Sequence, residues 1–257
     1  MTTCYESPLE TTEKARRRLA RAILERRGVK PAPAPPNPYA ASFLLFMRDC
    51  MWTIDEARGG EIRAWPFEGG WADYWTDWEH ALLTCSPLLV DKTRRTMASN
   101  VCTAWELWIA AGGVDPRWPV LLRSQANRRV LIQAQKLEGV GGSAEFVDRA
   151  RRLLQASVER GLEQRWRGFP QIQFSFGRAL FSNGSRIDAV PQGAEQVRGP
   201  GTTLLRAEEL GFWEQAKPSM ENAIPALHPD GHLIAVTTPN VGTYASDIRH
   251  GQLGARR

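Results

Sequence analysis

Short apolar runs alternate with longer amphipathic segments along most of the chain. Short runs bounded by polar residues are typical of buried strands, and apolar residues three and four apart are typical of helices. Strands are predicted at residues 88–90, 130–135, 203–207 and 232–237, and helices at 99–111 and 143–158. A further strand pair, residues 174–176 and 186–190, is predicted across a turn at 182–184. This alternation predicts an α/β fold with a largely parallel sheet flanked by helices.

The segment before these elements, residues 39–86, is rich in aromatic side chains and is predicted to be mainly helical. Trp71, Trp75 and Trp78 are spaced so that they share one face of a helix. Such a stripe could stack on nucleic acid bases, but tryptophans at helical spacing more often pack into a core. We therefore expect these side chains to be part of the core.

The N-terminal end differs in composition from the rest of the chain. Residues 11–27 predict a basic helix with a thin apolar stripe, and residues 30–38 contain five prolines, which favour an extended linker. The predicted organisation is a basic helical arm, a proline-rich linker and one large domain, at residues 1–30, 31–38 and 39–257.

Positive charge is concentrated in two places. Residues 1–30 hold eight Lys and Arg against four Glu, which accounts for most of the formal net charge of +5. Residues 117–167 hold eleven Lys and Arg against five acidic residues. Such segments suit a polyanionic partner such as nucleic acid, and a solvated helix face is the alternative.

Several other classes of protein are disfavoured by the sequence. No apolar run approaches the roughly 18 residues of a membrane span, and residues 1–15 lack the apolar core of a signal peptide. The four cysteines show no C-x-x-C spacing, which indicates a reduced, intracellular protein. The loop at 139–142 lacks the third glycine of a dinucleotide site, and His228 and His232 have no evident third metal ligand.

Polar residues follow two of the predicted strands. Glu208 and Glu209 come directly after the strand at 203–207, and the Thr-Pro-Asn sequence at 238–240 comes after the strand at 232–237. Ligands of open α/β sheets bind at the carboxyl ends of the strands. Acidic residues after one strand and a threonine after another are the arrangement that nucleotide-hydrolysing motors use.

A candidate phosphate-binding loop lies between the strand at 88–90 and the next helix. The loop contains three cations, Lys92, Arg94 and Arg95, and leads to the hydroxyl of Ser99. Cations suit phosphate groups and a hydroxyl suits Mg²⁺. The sequence G-x-x-x-x-G-K-[ST] is absent, because Met97 and Ala98 occupy the Gly-Lys positions. By itself the loop resembles any basic turn between a strand and a helix.

Six segments, taken in order, resemble the ATPase domain of the large terminase subunit, the DNA-packaging motor of tailed phages. Residues 92–99 are similar to its variant Walker A loop, in which the lysine lies at the start of the loop, and residues 204–213 to its Walker B segment. The other similar segments are residues 130–136 with 144–149, the Asn-Gly-Ser hairpin at 181–187, the Arg-Gly element at 196–199 and the coupling motif at 237–240. The resemblance spans roughly residues 43–244 and implies a P-loop NTPase-like fold of the ASCE type.

The resemblance also implies roles for individual residues. Glu208 and Ser99 would hold Mg²⁺, Glu209 would orient or deprotonate the attacking water, and Arg198 would act as an arginine finger in a neighbouring subunit. The phosphate-binding residues would be Lys92, Thr93, Arg94, Arg95 and Ser99. The coupling residues would be Thr238, Pro239 and Asn240.

The cofactors implied are ATP and Mg²⁺. The partners implied are double-stranded DNA, the terminase small subunit and the portal protein. The motor would be a homo-oligomeric ring on the procapsid in the host bacterial cytoplasm, with no membrane involved.

The sequence departs from the family pattern in three respects. Glu208 stands where the family usually has Asp, the Gly-Lys pair is absent, and the chain ends about 17 residues after Asn240, where large terminases continue into a nuclease domain. We therefore expect no nuclease activity from this chain. The alternatives are a weak or inactive copy that serves as a partner-binding or DNA-binding module, and another P-loop NTPase acting on nucleic acid.

Overall fold

The computed structural model describes residues 37–55, 58–84, 87–92, 97–117, 127–193, 197 and 201–249. The predicted basic arm lies outside these residues, as does the linker up to residue 36. Pro38, the last residue of the predicted linker, begins helix α1 (Pro38–Ala41). The Asn37 side chain accepts a hydrogen bond from the Tyr39 N–H at 2.8 Å. The prediction of an extended linker is therefore wrong at Pro38, because proline fits the first position of a helix.

Nine strands and eight α-helices lie within the described ranges. The strands are β1 (Trp52–Asp55), β2 (Glu61–Ala64), β3 (Leu88–Asp91), β4 (Arg129–Ala134), β5 (Ile172–Ser175), β6 (Arg178–Phe181), β7 (Arg186–Pro191), β8 (Thr202–Glu208) and β9 (Leu227–Thr237). The remaining helices are α2 (Phe43–Leu45), α3 (Trp71–Thr84), α4 (Ala98–Ala110), α5 (Ser143–Glu159), α6 (Leu162–Arg165), α7 (Ala216–Ala223) and α8 (Tyr244–Arg249). None of these helices has the length and apolar character needed to cross a membrane.

A seven-stranded sheet with the order β3-β9-β8-β4-β7-β6-β5 forms the centre of the fold. The strands from β3 to β7 in this order are parallel, and β6 and β5 continue the sheet in antiparallel orientation. The predicted α/β fold with a mostly parallel sheet is confirmed. Since β3, β9 and β8 are neighbours, the residues that follow them meet at one edge of the sheet.

The predicted strand pair around the Asn-Gly-Ser turn is wrong in its first member. Strand β6 is the partner of β7 across the turn, and β5 pairs with β6 on its other side. In β6, Ala179 and Phe181 are buried whereas Arg178 and Leu180 are exposed. This alternation marks a strand with one open face, but four residues provide too short a pattern to stand out in the sequence.

Strand β9 also differs from its prediction, since it begins at Leu227 rather than at residue 232. The sequence His-Pro-Asp-Gly-His at 228–232 belongs to this strand. Its pairing with β8 shifts register between Thr202 and Leu204, which lie opposite Leu227 and His232. The extra residues of β9 form an irregularity that absorbs Pro229 and Gly231.

The aromatic segment before the sheet is only partly helical. Besides helix α3, it contains an antiparallel hairpin of β1 and β2, which the sequence pattern does not predict. Trp75 and Trp78 are buried, which confirms the interpretation of the tryptophan stripe as core packing. Trp71 is 41% exposed and stacks on Trp75 with ring centroids 5.3 Å apart.

The two faces of the sheet bury two separate hydrophobic clusters. Alternate residues of β4 point to opposite faces, so Val130 and Ile132 pack with α4 and α5 while Leu131 packs with Trp213 and Met220. Every residue of α4 is buried, so this helix runs through the interior. The charged residue of α4, Glu106, therefore lies inside the protein, where a charge needs a partner.

The Asn-Gly-Ser turn is fixed to the end of α4. The Asn183 side-chain amide donates to the Ala110 carbonyl at 2.9 Å, and Gly184 has a φ of +85°. A Cβ at Gly184 would lie 3.0 Å from Cγ of Asn127. The turn therefore needs glycine for its backbone conformation and for the space beside Asn127.

We expect the substitution Gly184→Ala to lower the free energy of unfolding by about 2–3 kcal/mol, from the left-handed backbone and the added contact together. Gly59→Ala is the matched control, because Gly59 has a φ of +69° and no atom within 4 Å of its Cβ position. Urea denaturation should show a loss about 1 kcal/mol smaller for this control. Equal losses would mean that Asn127 does not restrict the turn.

Candidate active site

Five of the residues singled out in the sequence lie together at one edge of the sheet. Lys92 directly follows β3, and its backbone N–H donates to the Thr237 carbonyl at 2.9 Å. Ser99 lies in the first turn of α4, and Glu208 is the last residue of β8. The other two residues follow strand ends, Glu209 after β8 and Thr238 after β9.

The Lys92 ammonium group is the centre of this cluster. Its Nζ lies 2.9 Å from Oε1 of Glu208, 3.0 Å from Oγ of Ser99 and 3.1 Å from Oε1 of Glu209. Burial disfavours the charged form of Lys92, but the two carboxylates outweigh it and raise its pKa. The predicted phosphate-binding lysine is thus held, charged, between the two acidic residues that follow β8.

Each carboxylate oxygen of Glu208 has its own set of partners. Oε1 accepts hydrogen bonds from Ser99 Oγ at 2.7 Å and from Lys92 Nζ. Oε2 accepts a hydrogen bond from Arg206 Nε at 2.8 Å, with Nη2 of the same guanidinium 2.7 Å away. Burial raises the pKa of Glu208, but the two cations and the Ser99 hydroxyl lower it further, so it stays ionised.

Arg206 and Glu106 belong to this charge network, and the sequence analysis missed both. They are fully buried, and Arg206 Nη1 donates to the two carboxylate oxygens of Glu106 at 3.2 and 3.3 Å. Burial raises the pKa of Glu106 to about 7, although Arg206 acts in the opposite direction. The available signal was a charged residue inside an apolar strand run and another inside an apolar helix.

Glu209 has an unusual backbone conformation, with a φ of +55°. Left-handed geometry in a residue other than glycine costs free energy and often occurs at functional sites. Here it turns the side chain towards β9, where Oε2 accepts a hydrogen bond from the Thr238 N–H at 3.3 Å. The Glu209 side chain is 34% exposed, so water can reach it.

The coupling motif is joined to the segment that follows Glu209. The Asn240 side-chain amide donates to the Gly211 carbonyl at 3.0 Å, and the Gly211 N–H donates to Thr237 Oγ1 at 3.0 Å. Thr238 contributes its backbone N–H to the site, and Pro239 is exposed. The neighbouring Thr237, to which no separate role was assigned, supplies the threonine side-chain contact.

One residue of the candidate phosphate loop, Met97, has the left-handed backbone conformation that glycine normally provides. Met97, which occupies a Gly position of the standard motif, has a φ of +59° and immediately precedes α4. The other predicted loop residues, Thr93, Arg94 and Arg95, lie outside the described residues. The predicted arginine finger, Arg198, does so as well.

The cluster fits an ion that prefers oxygen ligands. Ser99 and Glu208 both direct oxygen atoms at one cation, Lys92 Nζ, and hydroxyl and carboxylate oxygens are ligands that Mg²⁺ accepts. Within the described part of the chain, no three His, Cys, Asp or Glu side chains are grouped to hold a metal ion. An Mg²⁺ ion here would take its remaining ligands from phosphate groups and water, as Mg²⁺ commonly does.

Among the comparisons with known proteins, one solved structure with a TM-score above 0.5 supports the predicted fold. No family model and no curated protein sequence matches the chain. Among solved structures, the large terminase of bacteriophage HK97 matches with a TM-score of 0.53 and 15% identity, over 83% of this chain and 41% of that one. The large terminase of the thermophilic bacteriophage D6E matches with a TM-score of 0.45 and 11% identity, over 75% of this chain and 44% of that one.

The large terminase ATPase domain of Thermus phage P74-26 matches less well, with a TM-score of 0.40, 14% identity and 65% of each chain. The chain spans less than half the length of the HK97 protein. At these identities the likeness concerns the fold alone. At that level the resemblance noted in the sequence is confirmed, and the chain has the fold of the matched 41% of the HK97 large terminase.

Proposed function

We propose that the chain is the ATP-hydrolysing motor domain of a phage large terminase and drives duplex DNA into a procapsid. The observation that carries this proposal is the cluster of Lys92, Ser99, Glu208 and Glu209 at the carboxyl edge of the sheet. Phosphoryl transfer needs a cation for the phosphates, oxygen ligands for Mg²⁺ and a carboxylate near the attacking water. In the cluster, Lys92 suits the first task, Ser99 and Glu208 the second, and Glu209 the third.

The proposed roles follow from the position of each group. The Lys92 ammonium group lies 3.0 Å from Ser99 Oγ at the start of α4, and on ATP binding it would exchange the carboxylates for the phosphates. Ser99 and Glu208 would hold Mg²⁺, which supplies positive charge to the phosphates when bound. Glu209 is the carboxylate that is open to water, and it would orient or deprotonate the nucleophile.

Coupling to movement is proposed for Thr238, Pro239 and Asn240. A change at Glu209 reaches β9 through the hydrogen bond from the Thr238 N–H, and Asn240 ties the same segment to Gly211. Loss of the γ-phosphate would therefore alter both chain segments together. This mechanism needs only two short segments that respond to the same carboxylate.

The remaining parts of the proposal rest on the resemblance. Thr93, Arg94 and Arg95 would add phosphate contacts, and Arg198 would act in trans, which requires a homo-oligomeric ring. The small terminase subunit and the portal protein are the expected protein partners, and the host bacterial cytoplasm is the expected location. A nuclease, where needed, would come from outside the present 257 residues.

Two variants should separate ATP binding from the chemical step. Lys92→Ala should weaken ATP binding about tenfold to hundredfold, because a charged hydrogen-bond donor to the phosphates is lost. Glu209→Gln should bind ATP with nearly unchanged affinity but lower kcat by about 10² to 10⁴, because glutamine cannot take a proton from water. Calorimetric titration with Mg²⁺-ATP and a phosphate-release assay measure the two effects.

Lys217→Ala is the control for these variants. The Lys217 side chain is 58% exposed and lies 3.8 Å from Glu221, so its removal should change neither quantity. Wild-type turnover by Lys92→Ala or Glu209→Gln would refute the assigned roles. If the wild-type chain fails to bind millimolar ATP, the alternative of a partner-binding module without turnover is favoured.

A contact with duplex DNA is proposed for a group of arginines on β4, β6 and β7. Arg178 and Arg186 are 53% and 44% exposed, and their Nε atoms lie 2.6 and 2.9 Å from Asp188. Arg129 lies 3.7 Å from the same carboxylate. Three cations around one anion leave positive charge that suits DNA phosphates. By contrast, Arg128, within the basic segment at residues 117–167, is buried and donates to the carbonyls of Ile109 and Gly113.

Arg178→Ala combined with Arg186→Ala should weaken binding of duplex DNA and reduce its salt dependence. Two lost phosphate contacts should reduce the slope of log K against log salt concentration by about 2. Fluorescence anisotropy at several salt concentrations measures this slope. The matched control, Arg48→Ala with Arg58→Ala, also removes two exposed ion-paired arginines and should leave the slope unchanged. Equal slopes for both double variants would exclude this surface.

A further inference from the structure

The position of Glu208 poses a geometric problem that aspartate would not. Glutamate has one more methylene and one more rotatable bond than aspartate, so its carboxylate can take more positions. A group that holds a metal ion has to be fixed, and residues behind the metal ligands normally do this. The structure therefore has to contain something that holds the longer side chain.

Arg206 is placed to do this. It lies two residues before Glu208 on the same strand, so both side chains point to the same face of the sheet. Its Nε and Nη2 atoms lie 2.8 and 2.7 Å from Oε2 of Glu208. With Oε2 engaged, the carboxylate can direct only Oε1 towards Ser99 and Lys92.

The guanidinium of Arg206 is itself fixed on three sides. Its Nη1 atom donates to the Glu106 carboxylate and to Thr103 Oγ1, the latter at 3.1 Å. Its Cζ atom lies 4.6 Å from the centre of the Phe146 ring. Thr103 in turn donates to the Ser99 carbonyl at 2.8 Å. The same contacts thus connect the guanidinium to the helix turn that carries Ser99.

Stability alone does not account for these buried charges. Replacing a buried ion pair with apolar residues of similar volume is often neutral or stabilising, because desolvation offsets the attraction. Leucine or methionine could fill such a buried position in β8, beside the Phe146 ring. The charges are better explained by the position that they impose on Glu208.

We propose that Arg206, fixed from behind by Glu106, is a positioning residue that holds Oε2 of Glu208 and thereby keeps Oε1 beside Ser99. With Arg206 and Glu106 in place, a glutamate can hold Mg²⁺ at position 208, where the terminase family usually has aspartate. This inference rests on the proposed ATPase function, since it concerns the carboxylate assigned to Mg²⁺.

The test compares ADP binding with Mg²⁺ and with EDTA in the full chain. The main variant combines Glu106→Gln with Arg206→Met, so that no unpaired charge is left behind. We expect Mg²⁺ to strengthen ADP binding less in this variant than in the wild type, by about tenfold or more, as for other residues behind a metal ligand. Affinity in EDTA should stay close to that of the wild type, because Lys92 is untouched. Isothermal titration calorimetry measures both affinities.

Two further variants separate positioning from general damage. Adding Glu208→Asp to the double variant should restore part of the Mg²⁺ effect, because the shorter side chain needs less support. Leu204→Val, a buried change in the same strand, should leave the Mg²⁺ effect intact. An unchanged Mg²⁺ effect in the double variant, or no recovery with Glu208→Asp, would overturn the inference.

Should the double variant fail to fold, Arg206→Lys provides the test, because lysine keeps the charge but loses the planar set of donors that contacts Glu106 and Glu208 at once. A full Mg²⁺ effect in Arg206→Lys would also overturn the inference. If the wild type binds no ADP, the ATPase proposal fails instead. The contact is then tested by urea denaturation of nucleotide-free protein, with Arg206→Met and Glu208→Gln made singly and together in the Glu106→Gln background. Additive losses would show that Arg206 does not hold Glu208.

Discussion

The buried negative charge of Glu208 is the constraint on which the rest of the site depends. A carboxylate that is 1% exposed cannot rely on water and has to be neutralised by protein groups. Arg206 provides one cation from within β8, and Lys92 provides the other from the end of β3. Because these cations come from different strands, the charge is balanced only when the sheet has its native order. The site and the sheet are therefore stabilised by the same contacts.

The sheet order explains why so few residues suffice to build the site. With β9 between β3 and β8, the ends of all three strands lie side by side, and Lys92 reaches the acidic residues across β9. Helix α4 begins beside them and then runs through the core, so that it can present both Ser99 and Glu106 to the same strand. The parallel arrangement thus brings together residues that are more than a hundred positions apart in the sequence.

The elements with long, regular patterns could be predicted from the sequence, and those that depend on distant contacts could not. Strands β3, β4 and β8 and helices α4 and α5 were each predicted to within one residue at either end. Strand β6 was not predicted because two buried and two exposed residues form too short an alternation to recognise in the sequence. Lys92, Glu208 and Glu209 lie at or just after strand ends and Ser99 at the start of a helix, so topology alone could place them together. Arg206 and Glu106 could not, because each looks like an interruption of an apolar run until its partner is known.

Met97 shows that a residue other than glycine can form the left-handed turn that precedes α4. The residue has the left-handed backbone that glycine adopts freely, and its side chain packs against the main hydrophobic cluster. The cost of the backbone, of the order of 1–3 kcal/mol, is thereby balanced by buried apolar surface. The turn that begins α4 is therefore stabilised by the contact of the Met97 side chain with the core, and not by the conformational freedom of a glycine. A sequence motif that requires glycine at this position will not detect such a turn, whereas its backbone angles will identify it.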